Sequence, residues 1–402
     1  MKRWALAALL GVPVALMLPA QEAPPAGDSA QSSKARESRP ALVPRTHDER
    51  ERSYQAEHRI ILNVLVTDAN GKPATGLTEG DFALFENRQP RKIAAFRSAS
   101  GTAQRERVHV VLVLDSVNNS ARTLAIERRE LERFLERNRG QLKVPISIVV
   151  LSSSGVKARQ ATRDPDVLRA ELKDAAAGLH PVDCADEGGI DARQTGSDVY
   201  APALDLSPRD SLNERMRKAE CLNMRFTTSV AALNRIAREQ VEVPGRAIMI
   251  WIGEGWPLLL GQEFAPDTPA QSRNYFDYLA ELSTSLREAQ ITLDAVSSPD
   301  LFRKAEPGAE KLSSVPAPET DVAHTADFAL PRLVRQTGGR ILEYDKDLAN
   351  EIAESIADAD SYYVLAFDAA PAQGVGEYRE LKVEVDRPGL KVRTNTAYFA
   401  RP

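Results

Sequence analysis

The sequence predicts an α/β protein in which a doubly wound, mostly parallel sheet is inserted in a small β-sandwich formed by the N- and C-terminal strands. Three observations lead there. Four apolar runs of strand length, at 109–114, 145–151, 247–252 and 291–296, are nearly continuous, as expected of parallel strands covered on both faces. Stretches with apolar residues at helical spacing separate them, and strand and helix alternating on this scale imply an open sheet with right-handed crossovers. Shorter segments with two-residue alternation gather at the two ends, near 60–97 and 381–399.

The first segment concerns address. Met1-Lys2-Arg3-Trp4 is a short basic start, and residues 5–20 are apolar but broken by Pro13 and Pro19. This reads as a secretory signal peptide over 1–20, too short and too interrupted for a spanning helix, with an uncleaved anchor as the alternative. Its removal takes the formal net charge from −5 to −7 by loss of Lys2 and Arg3. A periplasmic or secreted protein with no membrane insertion after cleavage is expected. Residues 21–57 hold almost no bulky apolar side chain, so they cannot offset the entropy of ordering and read as a disordered linker.

The N-terminal part of the sandwich is expected over 58–100. Ile60, Leu62, Val64 and Val66 alternate, Asp68-Ala69-Asn70-Gly71 supplies a turn, and Thr78 with Asp81 can cap a helical turn. Residues 83–86 and 93–97 are short strands around Asn87-Arg88. Over 376–400, Leu381, Val383 and Val385 alternate with charged residues, Arg387-Pro388-Gly389 turns, and 391–399 returns. Neither end has enough strands to stand comfortably alone, so pairing into one sandwich is expected, with two separate β subdomains as the alternative.

The inserted α/β domain spans 106–367. After the first strand, Leu124, Leu131, Phe134 and Leu135 form the apolar face of a helix. Residues 156–162 follow the second strand as an antiparallel edge, and Asp164-Pro165 opens a helix with a cap and a first-turn proline. Phe226, Val230, Leu233 and Ala237 mark the next helix, and Phe276, Leu279, Leu282 and Leu286 another. Leu330, Leu333 and Val334 lie on a helix ended by Gly338-Gly339, Leu348, Ile352 and Ile356 on the last helix, and 362–367 form the last strand. Two interruptions are expected, an insertion over 178–212 and an acidic, Pro/Ala-rich surface loop over 299–325. Cys184 and Cys221 are the only cysteines, which in an exported chain reads as a disulfide, with two buried thiols as the alternative. Closing such a loop contributes roughly 4 kcal/mol on the chain-entropy model.

Composition excludes several function classes. The 52 basic against 57 acidic residues give no broad electrostatic footprint for nucleic acid. Two cysteines cannot build a Cys₄ zinc site, and His47, His58, His109, His180 and His324 are too scattered for metal-ligand spacing. No Gly-x-Ser-x-Gly elbow, phosphate loop or His-Glu-x-x-His motif occurs. In an open α/β sheet, ligands bind beyond the carboxyl ends of the strands. There the first strand leads into Asp115-Ser116-Val117-Asn118-Asn119-Ser120, and the third into Gly253-Glu254-Gly255. If these strands are neighbours, Asp115 and Glu254 face one crevice, and hard oxygen ligands of that kind suit Mg²⁺ or Ca²⁺.

The chain also resembles a known family. Asn63-Val-Leu-Val-Thr-Asp-Ala-Asn-Gly71, Gly76-Leu-Thr-Glu-Gly-Asp-Phe-Ala-Leu-Phe-Glu86, Val110-Val-Leu-Val-Leu-Asp115, residues 245–257, Thr337-Gly-Gly-Arg340, Ser361-Tyr-Tyr-Val-Leu365, and Arg387-Pro-Gly-Leu-Lys-Val392 with Tyr398-Phe399 carry the likeness. As a set they resemble bacterial, Acidobacteria-type VWFA-related proteins, whose core is a von Willebrand factor type A (VWA) domain, over roughly residues 59–400. The resemblance implies a VWA-like (Rossmann-like) sheet and a metal-ion-dependent adhesion site of Asp-x-Ser-x-Ser type. Asp115 matches that motif, but Val117 and Asn119 stand at its serine positions, Glu254 stands where a third-loop Asp belongs, and Ser116 and Ser120 are out of register. The implied metal ligands are therefore a degenerate set of Asp115, Asn119 and Glu254, while the other reading of Asp115 is a loop cap bonded to backbone amides.

The expected function is an exported protein-binding or adhesion module with an unknown protein partner, and not an enzyme. The alternatives are a structural or assembly component of the cell envelope that uses exposed β edges, or a hydrolase using Asp115 and Glu254 as an acid/base pair. His109, at a strand start, is expected to be packed rather than catalytic.

Overall fold

The computed structural model describes residues 58–100, 107–138, 140–176, 179, 182, 212–253, 280–297, 330–343, 347–374 and 376–400. The expected signal peptide, the linker, nearly all of the insertion over 178–212, the loop over 299–325, Cys184, Glu254, Phe276 and Leu279 lie outside the described residues.

The N-terminal strands are β1 (Arg59–Thr67), β2 (Phe82–Glu86), β3 (Gln89–Arg91) and β4 (Ala95–Ser100). They are followed by β5 (Val108–Asp115), α1 (Ala121–Arg137), β6 (Ile146–Ser152), β7 (Gly155–Ala158), α2 (Pro165–Ala176), α3 (Leu212–Val241) and β8 (Arg246–Ile252). A helical stretch over 280–288 precedes β9 (Ile291–Ser297), α4 (Leu330–Gln336), β10 (Ile341–Glu343) and α5 (Leu348–Ala357). The chain closes with β11 (Ser361–Asp368), β12 (Glu377–Val385), β13 (Lys391–Arg393) and β14 (Ala397–Ala400).

The four apolar runs form β5, β6, β8 and β9, the inner strands of a six-stranded sheet in the order β10-β9-β8-β5-β6-β7, parallel throughout except for the antiparallel edge strand β7. Because side chains alternate across a strand, each run feeds two cores. Val110, Leu112, Leu114, Ile148 and Ile250 face α1, α2 and α5 through Leu131, Phe134, Leu168, Leu172 and Ile352. Val111, Val113, Leu151, Met249 and Leu293 face α3, the 280–288 helix and α4 through Phe226, Leu233, Leu282, Leu286 and Val334. Local signals set the helix starts: Asp164 accepts from the Asp166 amide at 2.8 Å ahead of Pro165, and Ser120 accepts from the Thr123 amide at 3.0 Å.

The chain ends build two four-stranded antiparallel sheets, β13-β1-β11-β4 and β14-β12-β2-β3, and both mix N-terminal with C-terminal strands. Their apolar side chains, among them Leu62, Val64, Phe82, Leu84, Phe367, Leu381 and Val383, meet in one cluster.

The structure differs from the sequence expectation at several strands: β10 was not expected, and 391–399, expected as one returning strand, is split between β13 and β14 in different sheets. Residues 362–367, expected as the last strand of the parallel sheet, form β11, which pairs antiparallel with β1 and β4. The reason is physical: Tyr363, Leu365 and Phe367 enter the antiparallel core while Tyr362 and Val364 pack on the parallel sheet's core. The run is apolar on both faces because it is covered on both, which does not specify strand direction. The hairpin after β2 returns at once as β3, since Asn87 and Arg88 both adopt positive φ (48° and 65°), and β4 starts two residues later than expected. The edge strand β7 stops at Ala158, with Thr162 forming only an isolated bridge to Ile146.

Candidate functional site

From β5 the chain moves outward through β6 and β7 on one side, and from β8 outward through β9 and β10 on the other. The crossovers therefore part between β5 and β8, which makes that gap the topological switch point. The two strands are neighbours over Val108–Leu114 and Arg246–Ile252, so the loops leaving them meet. Gly253, first residue beyond β8, has φ +150°, and a Cβ there would lie 2.8 Å from Asp115 Cβ and 3.1 Å from Asn119 Nδ2. The second loop thus begins with its backbone pressed onto the first, an approach only glycine permits. Glu254 follows outside the described residues.

Asp115 is fully buried, and its carboxylate is filled from within. Oδ1 accepts from the amides of Val117 at 2.9 Å and Asn118 at 3.0 Å. Oδ2 accepts from Asn118 Nδ2 at 2.6 Å and Trp251 Nε1 at 3.1 Å. Burial pushes this carboxyl up from its usual range, while the bonds from Asn118 and Val117 and the nearby Arg225 charge oppose the shift.

The rest of the loop is equally committed. The Ser116 hydroxyl donates to the Leu151 carbonyl at 2.8 Å, and Val117 is buried without a polar atom to offer. Asn118 Nδ2 also donates to Ser229 Oγ at 2.8 Å, and its Oδ1 accepts from Arg225 Nε at 3.4 Å. Asn119 Nδ2 donates to Glu127 Oε2 at 2.7 Å.

A divalent ion of the Mg²⁺ or Ca²⁺ type needs several oxygen lone pairs converging on one point. Asp115 does not fit that need as it stands, because each of its oxygens already accepts two hydrogen bonds. Among the described residues no cluster of three or more His, Cys, Asp or Glu could hold a metal. The geometry of Asp115 is that of the loop cap, extended to a tryptophan and an asparagine side chain.

Sequence reasoning passed over Arg225, Ser229, Trp251 and Glu127. One signal was available: a tryptophan inside an otherwise aliphatic strand has an N–H that must find an acceptor when buried. Arg225 and Ser229 sit one turn apart on α3, a spacing that says nothing of its distant partner.

The His109 ring, largely buried at the start of β5, meets Gln240 Oε1, and burial pushes its pKa down. Cys221 is half-buried on α3, while Cys184 lies outside the described residues and the pairing with it. Two further buried polar groups hold the fold together. Glu86 accepts from Arg91, Arg379 and Tyr398 between strands of the antiparallel sheets. Asp358 accepts from Arg340 at 2.6 Å and from Arg393. No described helix is long and apolar enough to cross a membrane.

No protein-family profile and no curated protein matches the chain. Solved structures with some likeness include human COPII-coat protein Sec24c, at TM-score 0.31 and 8% identity over 76% of this chain and 46% of that one. Proximal thread matrix protein 1 from the mussel byssus aligns at TM-score 0.29 and 8% identity over 65% of this chain and 49% of that one. Manganese-loaded Plasmodium vivax TRAP protein aligns at TM-score 0.28 and 8% identity over 75% of this chain and 96% of that one. The chain thus spans about half the length of the first two. Likeness at this level carries no argument about function. The architecture itself, a parallel-rich six-stranded sheet with helices on both faces beside antiparallel sheets, is compatible with a VWA-like fold.

Proposed function

We propose that the chain is an exported VWA-like protein-binding module, not an enzyme, whose recognition surface is the crevice at the carboxyl ends of β5 and β8. The antiparallel sheets form its small sandwich, the Cys184–Cys221 disulfide staples its insertion, and its place is the periplasm or the exterior. One observation carries the proposal: the switch point lies between β5 and β8, the β5 loop is packed around Asp115, and the chain leaving β8 begins, at Gly253, pressed against that loop. A preformed loop at a switch point, as after β5, suits recognition, because little ordering entropy remains to be lost there on binding. A carboxylate with its lone pairs consumed is poorly placed as a general acid or base, which weighs against the hydrolase alternative.

One observation favours the assembly alternative: β4 is an edge strand of six residues with mostly exposed side chains. The discriminating experiment is affinity capture from periplasmic extract with matched baits. Arg122→Glu, at the exposed first turn of α1 beside the crevice, should abolish or strongly weaken capture, whereas Lys391→Glu, on β13, should leave it unchanged. Loss with Ser98→Lys on β4 instead would move recognition to the sheet edge. Thiol titration of the denatured, unreduced chain should find no free cysteine; two free thiols would remove the staple.

A further inference from the structure

We infer that Arg225 supplies, from inside the fold, the positive charge that holds the β5 loop in place, so that the crevice keeps its shape with no bound cation. Arg225 is 8% exposed on α3, with Nε 3.4 Å from Asn118 Oδ1. Asn118 in turn places Nδ2 2.6 Å from Asp115 Oδ2 and 2.8 Å from Ser229 Oγ. The Ser229 hydroxyl donates to the Arg225 carbonyl at 2.8 Å, which closes the circuit on α3. An asparagine suits this relay because its oxygen accepts from a cation while its amide donates to an anion. The guanidinium charge and the carboxylate charge are thereby coupled through one polarised side chain in a water-poor site. Such coupling is stronger there than in water.

A buried carboxylate needs a compensating charge or full hydrogen bonding, and here it has both without any external group. A divalent ion entering the same pocket would meet a like charge at low dielectric and would have to displace donors already bound to Asp115. Arg225 is thus a positioning residue for the loop. The inference builds on the proposed recognition crevice only for its purpose. Its test uses no partner, so it can fail while capture succeeds, and the reverse.

The test is thermal unfolding of the full chain in EDTA and in about 5 mM Mg²⁺, Ca²⁺ or Mn²⁺, followed by tryptophan emission, with Arg225→Lys and Arg225→Met. The wild-type Tm is expected to move by less than about 1 °C between these conditions. Arg225→Met, similar in bulk but uncharged, should lower Tm by roughly 5 °C, and Arg225→Lys should restore at least half of that loss. If the Met variant does not fold while the Lys variant folds and ignores cations, the same conclusion holds. Equal losses for Lys and Met would make Arg225 a packing residue and overturn the inference. A wild-type Tm raised several degrees by any of the three cations would overturn it as well.

Discussion

Asp115 accepts four hydrogen bonds from groups that are themselves buried, so its removal leaves donors stranded rather than merely deleting an acceptor. A buried donor without a partner costs about 1–3 kcal/mol, and two or more would be left here. Asp115→Ala should therefore lose roughly 2–4 kcal/mol in urea unfolding and shift Trp251 emission. Asp115→Asn should also destabilise, because its amide would face Asn118 Nδ2 and Trp251 Nε1, donor against donor. A Gly253→Ala chain meets both a strained φ and a Cβ set 2.8 Å from Asp115 Cβ, and roughly 1–3 kcal/mol of stability should go. Wild-type stability in the Gly253 variant would mean that the two loops are not in contact.

Elements show which sequence signals carry structure and which do not. The β2–β3 hairpin turns through Asn87 and Arg88 with positive φ at both, the form in which Asn-Gly is preferred. Arg88→Gly should stabilise by about 0.3–1 kcal/mol, read as a higher urea midpoint with an unchanged slope. Strands β5, β6, β8 and β9 of the parallel sheet were legible because covered strands are apolar on both faces, whereas β10, only three residues long, was not; helices α1, α2 and α5 were legible from spacing and caps. β11 was assigned to the wrong sheet because Tyr362 to Phe367 is covered on both faces by two different cores, and double coverage looks the same in either strand direction. Within the site, Asp115 was legible from its place at a strand end. Its partner Trp251, and the Asn118 partners Ser229 and Arg225, were not, because they come from elements more than a hundred residues away, and pairing at that separation leaves no local pattern.

At the scale of the whole molecule, the parallel sheet and the antiparallel sheets share one seam. Asp358, just beyond α5, binds Arg340 from the turn into β10 and Arg393 from β13, while Arg246 of β8 lies over the Tyr362 ring at 4.7 Å. Asp358→Ala removes the carboxylate shared by two guanidinium groups, which keep the Glu354 and Gly338 carbonyls as partners, and should cost about 1–3 kcal/mol in urea unfolding. Nearby Asp294 is fully buried, and burial pushes its pKa up against the bonds from Ser355 and the Arg340 amide. Its unfolded value is about 4, so above that pH the unfolded chain loses this proton first and stability falls as pH rises. Urea midpoints at about pH 5 and pH 7.5 should show wild type gaining on Asp294→Asn at the lower pH; no such gain would mean that Asp294 is ionised throughout.

The crevice is pictured as a protein-recognition floor whose carboxylate is spent on its own loop and whose positive charge is built in. Calorimetric titration of the purified full chain with Mg²⁺ and Ca²⁺ tests this most directly. Heats indistinguishable from dilution are expected, for wild type and Asp115→Ala alike. Tight one-to-one binding that disappears in Asp115→Ala would contradict it, because Asp115 would then be a metal ligand.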